Sequence, residues 1–297
     1  MKITLTGSLG HISKSLTQEL VQKGHDVTVI SHSPERQKDI EALDAKAAIG
    51  SIEDAAFLTK AFQGADVVYT MITGANFRSD PNIDLMAQVR SVASNYVQAI
   101  QNSGVKRVVH LSSIGAHKAK DSGLILLHHA VESILGELGE VDITFMRPVG
   151  FYYNLLSFIQ AIKGMGFMAS NYGADDIIPW VSPIDIAASI VEEFETPASH
   201  RKVKYVASEE LTCNEVAEIL GEAIGKPDLK WNLISDEQLE SAMIGAGVPK
   251  AIVAGMVEMQ SSMHKGDMYE DYYLNKPELG KTKLKDYAKE FAAIYNQ

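Results

Sequence analysis

The chain has 297 residues, 46% of them hydrophobic and 22% charged, enough to bury one large core or two unequal ones. Its 27 basic and 38 acidic residues leave a net charge of −11, which argues against nucleic acid and anionic membranes as partners when no long basic run is present. The single cysteine, Cys213, excludes an intrachain disulfide; no apolar signal region follows Lys2 and no stretch approaches the ~20 apolar residues of a membrane span, so a cytoplasmic protein is expected.

From the N-terminus, Lys2–Leu5 predicts a strand and Ile12–Lys23 a helix, with Gly24 where a C-cap glycine belongs. Asp26–Ile30 predicts a second strand, and Pro34 opens a helix at a position where its missing N–H does no harm. Then follow a strand at Ala45–Ile49, a helix at Asp54–Phe62, a strand at Val67–Met71 and a long helix at Asp84–Asn102 closed by Gly104. Val105–Leu111, Leu124–Leu138 and Asp142–Arg147 predict strand, helix and strand.

Short strands alternating with longer helices signal right-handed βαβ units and a parallel sheet. The runs VVY, RVVHL and ITFM in these strands are apolar throughout rather than alternating, as expected when helices cover both faces. The fold class is therefore α/β, a doubly wound, Rossmann-like parallel sheet with a smaller, mainly helical C-terminal part.

After Arg147 the rhythm changes to an aromatic- and glycine-rich segment without a period. Beyond it the caps are explicit: Ser182 before Pro183, and capping boxes at Thr212 with Glu215 and Ser235 with Gln238. Val203–Val206 is expected to lengthen the sheet. This divides the chain into a nucleotide-binding part, 1–150, and a smaller substrate-binding part, 151–297, packed on it.

The turn after the first strand, TGSLGHIS (6–13), carries the chemistry. A dinucleotide site needs a tight reversal, close backbone approach to the pyrophosphate, and a helix N-terminus aimed at the phosphates. Gly7 meets the first need and Gly10 the second, while Ser13 occupies a position where close packing prefers glycine. At the end of the second strand a carboxylate would favour NAD by bonding the ribose 2′-hydroxyl. Here the residues are Ser31, His32 and Ser33, with Arg36 in reach, and NADP(H) is expected over NAD(H).

The stretches TGSLGHIS, SPER (33–36), SGVKRVVHLSSIGA (103–116), HHAVE (128–132), DITFMRPVGFYYN (142–154) and SPIDIA (182–187), in this order, resemble the atypical short-chain dehydrogenase/reductase group. The resemblance is to its NmrA-like branch, which includes quinone and triphenylmethane-dye reductases. It implies that Gly7, Leu9, Gly10, His11 and Ile12 cradle the pyrophosphate and that Ser31, His32 and Arg36 surround the adenosine phosphate. It further places Met71, Ile72, Thr73 and Ser112 along the nicotinamide ribose, His128 toward the cofactor, and Pro148 and Phe151 beside the nicotinamide ring. Gly50-Ser51-Ile52 matches a stretch that touches adenine and usually reads Gly-Asp; Ser51 departs from it.

A second departure bears on catalysis. The best-known members of the superfamily use a tyrosine as general acid, four residues before a lysine that lowers its pKa. The matching positions here are Leu124 and His128, and leucine donates no proton. A literal Tyr-x-x-x-Lys at Tyr272 and Lys276 lies outside that context and reads as chance.

Reducing a simple ketone makes a strongly basic alkoxide that needs an acid, whereas a quinone or a cationic dye carbon accepts hydride without one. The leading expectation is an NADPH-dependent reductase that passes hydride directly to a small planar, quinone-like or dye-like acceptor, acting as a monomer or homodimer. His128 and Ser112 are the candidate catalytic residues. Ser113, Tyr152, Tyr172 and Trp180 are candidate substrate contacts, with core packing as the alternative for the aromatics. The histidines at 110, 117, 128 and 129 match no familiar ligand spacing, and no metal is expected. Cys213 reads as a small buried filler. Two other functions stay open: a non-catalytic NADP(H)-sensing regulator of the NmrA type, and an isomerase or epimerase with its acid elsewhere.

Overall fold

The computed structural model describes residues 1–72 and 84–297. The chain runs β1 (Lys2–Leu5), α1 (Ser13–Gln22), β2 (Asp26–Ser31), α2 (Gln37–Glu41), β3 (Lys46–Ile49), α3 (Ala55–Phe62), β4 (Val67–Met71), α4 (Leu85–Ser103), β5 (Arg107–Leu111), α5 (Leu126–Leu135) and β6 (Asp142–Pro148). It continues through β7 (Gly150–Phe151), α6 (Ile159–Met165), β8 (Met168–Ser170), β9 (Ile177–Val181), α7 (Pro183–Glu195), β10 (Arg201–Val206), β11 (Glu209–Thr212) and α8 (Cys213–Ala223). The last elements are β12 (Trp231–Leu233), α9 (Asp236–Gly245), α10 (Lys250–Lys265), α11 (Glu270–Leu274) and α12 (Leu284–Tyr295).

Two compact units emerge. The first comprises Met1–Ser113, Leu127–Arg147 and Ile186–Lys204; the second comprises Ile114–Leu126, Pro148–Asp185 and Tyr205–Gln297. The seven-stranded sheet has the order β10-β6-β5-β4-β1-β2-β3, and its neighbours from β6 to β3 all pair in parallel. The order reverses at β1 and β4, so the doubly wound reading holds, and β10 lengthens the sheet as expected.

One face of that sheet is covered by a cluster that includes Phe62, Val68, Val92, Tyr96, Val108, Val131 and Ile143. The aspartates expected as first helical residues serve as N-caps instead. Asp54 accepts the amides of Ala56 and Phe57, each at 2.9 Å, and Asp84 accepts that of Ala87. A short carboxylate satisfies two otherwise orphaned donors there.

The helix predicted from Leu124 differs more. Gly123–Ile125 forms a 3₁₀ turn and α5 starts only at Leu126. Gly123 sits at φ +55°, and a Cβ on it would lie 2.0 Å from the Gly255 carbonyl oxygen. That close approach to α10, within the second unit, sets the entry into the helix. Similarly, Pro34–Arg36 is a 3₁₀ turn ahead of α2.

The second unit has its own small sheets, β11-β9-β7 and β12-β8. Both expected capping boxes are present at the starts of α8 and α9. Ser182 caps α7, its Oγ accepting the Ile184 amide at 3.2 Å. Among the described residues no helix is long and apolar enough to cross a membrane.

Candidate cofactor site

In the turn between β1 and α1, Gly7 and Ser8 have φ of +90° and +52°, and the Gly10 amide donates to the Gly7 carbonyl at 3.2 Å. The helix that follows starts on Ile12, which makes no side-chain cap bond, so no side-chain acceptor competes for the first-turn amides.

Ser13 is buried, and its Oγ donates to the Thr6 carbonyl at 3.2 Å. A Cβ on Gly7 would come within 2.8 Å of that Oγ and 2.5 Å of the Met71 Sδ. Serine is thus accommodated at position 13 because glycine at position 7 leaves the room. Gly7→Ala is expected to cost about 2–3 kcal/mol, from positive φ together with overpacking, and to weaken nucleotide binding at least tenfold. Urea unfolding with a parallel NADPH titration measures both; an alanine variant of unchanged stability contradicts this reading of the turn.

The turn opens on a cavity of about 370 Å³. Gly7 and Ser8 line one end, with Ser31 and His32 from the end of β2, Gly50 to Glu53 after β3, Ile72 after β4, and Gln88, Val89 and Val92 from α4. Ser31 is buried and organises the loop: it accepts from Ser8 Oγ at 3.0 Å and from the Ser33 amide at 3.2 Å. The tip of β2 itself carries Ser31, His32 and Ser33, none of them a carboxylate.

Of the residues expected around the cofactor, Gly7, Ser31, His32 and Ile72 line this cavity. Gly10 and His11 are exposed at the tip of the turn, Leu9 is half-buried and Ile12 is buried. Arg36 does not line the cavity; its guanidinium is exposed and pairs with Asp39 at 3.2 Å. Met71 is held through its backbone, its amide donating to Thr6 Oγ1 at 3.0 Å and its carbonyl accepting from Tyr96 Oη at 2.7 Å. Thr73 lies outside the described residues.

A second polar cluster of the same unit gathers at the carboxyl ends of β5 and β6. Ser112 is buried and donates its hydroxyl proton to Glu132 Oε1 at 2.6 Å. Arg147 grips the same carboxylate with Nε at 2.9 Å and Nη2 at 2.6 Å. The side chains of Arg147 and Glu132 are only 7% and 11% exposed. Ser112 is therefore committed to Glu132, a partner no local motif announces, and Ser113 beside it is half-buried.

Below the cluster, His110 Nδ1 lies 2.9 Å from Thr70 Oγ1. Burial, with the neighbouring His128 imidazole, holds the His110 pKa down to about 3. His128, one turn before Glu132 on α5, is also held down by burial, to about 4, against the opposing pull of the Glu132 carboxylate. Two ring nitrogens, His110 Nε2 and His128 Nδ1, are buried without a hydrogen-bond partner among the described residues. Both rings are neutral at physiological pH.

The expected substrate aromatics fall in the second unit, and there the packing alternative prevails. Tyr152 is fully buried, and its hydroxyl donates to Glu209 at 2.7 Å; burial and that carboxylate push the phenol far up. Tyr172 and Trp180 are 6% and 2% exposed, and Tyr172 packs on Trp231 with ring centroids 5.3 Å apart. Their surface is spent on the core, where the absence of a local period gave no hint of burial. Phe151 is half-buried and stacks on Tyr153 at 4.9 Å. Pro148 is buried, its carbonyl accepting the Ile114 amide.

Tyr272 and Lys276 converge on a single carboxylate, Glu210, at 2.9 and 2.7 Å. Burial, then the carboxylate, raises the Tyr272 phenol instead of lowering it, the opposite of what a proton-donating tyrosine needs. Cys213 is buried at the start of α8, and burial pushes its thiol up, so it is an inert filler.

Comparison with known proteins agrees with this architecture. An NAD(P)H azoreductase from Xenophilus azovorans is 26% identical over 260 residues, covering 86% of this chain and 85% of the relative. A (4-alkanoyl-5-oxo-2,5-dihydrofuran-3-yl)methyl phosphate reductase from Streptomyces griseus is 26% identical over 249 residues, covering 83% and 82%. Among solved structures, an NADPH-dependent quinone oxidoreductase from Escherichia coli, complexed with NADPH, superposes with a TM-score of 0.80 at 20% identity, over 97% of this chain and 99% of that one. The triphenylmethane reductase of a Citrobacter species gives 0.79 at 20% identity, over 99% and 100%. The profile of the NmrA-like family matches residues 1–289, and the chain belongs to that family.

Proposed function

We propose that this protein is an NAD(P)H-dependent reductase that prefers NADPH and passes hydride directly to a quinone-like or dye-like acceptor. The observation that carries the reading is the chemistry of the two positions, Leu124 and His128, that the resemblance matches to the superfamily's tyrosine and lysine. Leu124 packs against α10, 2.7 Å from where a Cβ on Gly255 would stand. His128 is neutral, with its pKa near 4, so almost no imidazolium is present at neutral pH to act as an acid. Ser112 directs its hydroxyl hydrogen bond at Glu132.

An acceptor that generates a localised alkoxide is poorly served by such a set. A quinone becomes a delocalised hydroquinone anion that takes its proton from water, and a cationic dye carbon needs no proton at all. The similarity to a protein named as an azoreductase supports a dye-like acceptor.

The residues around the turn fit a dinucleotide: α1 starts without a side-chain cap, Gly7 and Ser8 hold the reversal, and the cavity extends past the end of β2. When bound, the reduced nicotinamide supplies the hydride. Gly7, Ser8 and the first turn of α1 would hold the pyrophosphate, and His32 with Ser31 would meet the adenosine phosphate. The lack of a carboxylate at the β2 tip supports NADPH over NADH.

NADPH consumption with a panel of quinones and cationic dyes tests the reading. Turnover well above background is expected with at least one acceptor, with NADPH used better than NADH. Background rates throughout would contradict catalysis, and tight nucleotide binding without turnover would favour the sensing alternative.

A further inference from the structure

Met71, the last residue of β4, brings its side chain against the glycine turn that follows β1. Its Sδ lies 2.5 Å and its Cγ 3.4 Å from where a Cβ on Gly7 would stand, and Ser13 Oγ lies 2.8 Å from the same point. Sulfur, hydroxyl and turn therefore share one tightly filled space. Tyr69 Oη donates to the sulfur at 4.0 Å. The backbone holds the side chain in place, because the Met71 amide and carbonyl are bonded to Thr6 Oγ1 and Tyr96 Oη. Met71 is half-buried rather than sealed, and a thioether side chain that meets solvent is open to oxidation.

We propose that Met71 is an oxidation site through which a hydroperoxide releases the dinucleotide; the inference rests on the cofactor assignment made above. A sulfur lone pair attacks the outer peroxide oxygen, the O–O bond breaks and an S–O bond forms. The proton on the transferred oxygen passes to the departing one. The thioether is oxidised by two electrons, and the hydroperoxide is reduced to water or an alcohol. The product changes the space under the turn in two ways. The new oxygen has no room beside Gly7, where even a Cβ would collide. It also sets a strong acceptor next to Ser13, whose hydroxyl proton is committed to the Thr6 carbonyl. Overpacking of this kind shifts the backbone, and the backbone it shifts is the turn assigned to the pyrophosphate. The Tyr69 hydroxyl, already directed at the sulfur, meets a better acceptor in the sulfoxide and holds the oxidised form until it is reduced.

The test treats the whole protein with hydrogen peroxide, maps methionine sulfoxide by peptide mass spectrometry, and titrates NADPH by fluorescence before and after. Affinity is expected to fall about tenfold or more, in step with sulfoxide at Met71 rather than at Met165, which is 57% exposed. It should recover after treatment with methionine sulfoxide reductases A and B, which act on the two sulfoxide epimers. Saturating NADPH during the oxidation should protect Met71. Met71→Leu keeps the apolar bulk without the sulfur, and its affinity, whatever its starting value, should change by about twofold or less on treatment. Three results would overturn the proposal and leave the cofactor assignment standing: Met71 unmodified while Met165 is converted, unchanged affinity once Met71 is the sulfoxide, or a loss that Met71→Leu shares. Failure of the untreated protein to bind NADPH would overturn that assignment and this inference with it.

Discussion

Glu132→Ala is expected to lower the unfolding free energy by about 3–5 kcal/mol, the scale for stripping one partner from a buried ion pair. The Glu132 carboxylate accepts three hydrogen bonds, from Ser112 Oγ, Arg147 Nε and Arg147 Nη2. It thereby ties α5 to the ends of β5 and β6. Removing it takes two charge-assisted hydrogen bonds from the Arg147 guanidinium, 7% exposed, in a site of low dielectric. Glu132→Gln keeps the shape and one acceptor oxygen, so its loss should be smaller. Urea unfolding near pH 7 followed by circular dichroism measures both variants. A loss below about 1 kcal/mol in the alanine variant would mean that the guanidinium relaxes into solvent and that the cluster is not the rigid anchor described.

The second large effect is acid instability. His110 and His128 are held down to about 3 and about 4 in the folded protein, against about 6.5 in an unfolded chain. Between about pH 6.5 and pH 4 the unfolded state therefore binds protons that the folded state refuses, and stability falls as pH drops through that window. At about pH 5 each histidine should cost roughly 2 kcal/mol relative to neutral pH, or about 4 kcal/mol for the pair.

Carboxylates with lowered pKa, such as Asp26, Glu192 and Glu215, lose their contribution only further down, below about pH 4.5. The window above that belongs mainly to the histidines. Unfolding curves collected from about pH 7.5 to pH 5 should show the decline, and His110→Gln, which retains a hydrogen-bonding group for Thr70, should flatten it by about one proton. A pH-independent stability in this range would show that both rings take up protons in the folded state.

The elements that the sequence predicts well carry their signals locally. The apolar runs of β1 to β6, the capping boxes at Thr212 and Ser235, and the Gly7 turn each lie within a few residues of the structure they specify. Position 13 was legible as an irregularity, but its resolution, a buried hydroxyl bonded to Thr6 in space conceded by Gly7, depends on how α1 seats on β1 and β4.

What escaped is long-range. Ser112 meets Glu132 across 20 residues of sequence, and Glu53 meets Gln88 across 35. Arg36 was near enough in sequence to suggest a phosphate contact, yet Asp39, one helical turn on, provides a nearer partner. The aromatic segment from Phe151 to Trp180 invited a substrate reading because it lacks a period. Tyr152, Tyr172 and Trp180 are instead buried, Tyr152 and Tyr172 against neighbours contributed by much later segments, such as Trp231, Glu209 and Tyr287.

The central claim is direct hydride transfer at a site without a proton-donating tyrosine. The most direct measurement gives the protein NADPH carrying deuterium at the transferable ring position, together with a cationic triphenylmethane dye, and examines the colourless product by mass spectrometry. The account predicts that the central carbon of the leuco dye carries the deuterium and that the rate changes little between about pH 6.5 and pH 8, since no group at the site has to supply a proton. A product without deuterium, or a rate that falls with the deprotonation of a single acid in that range, would contradict it.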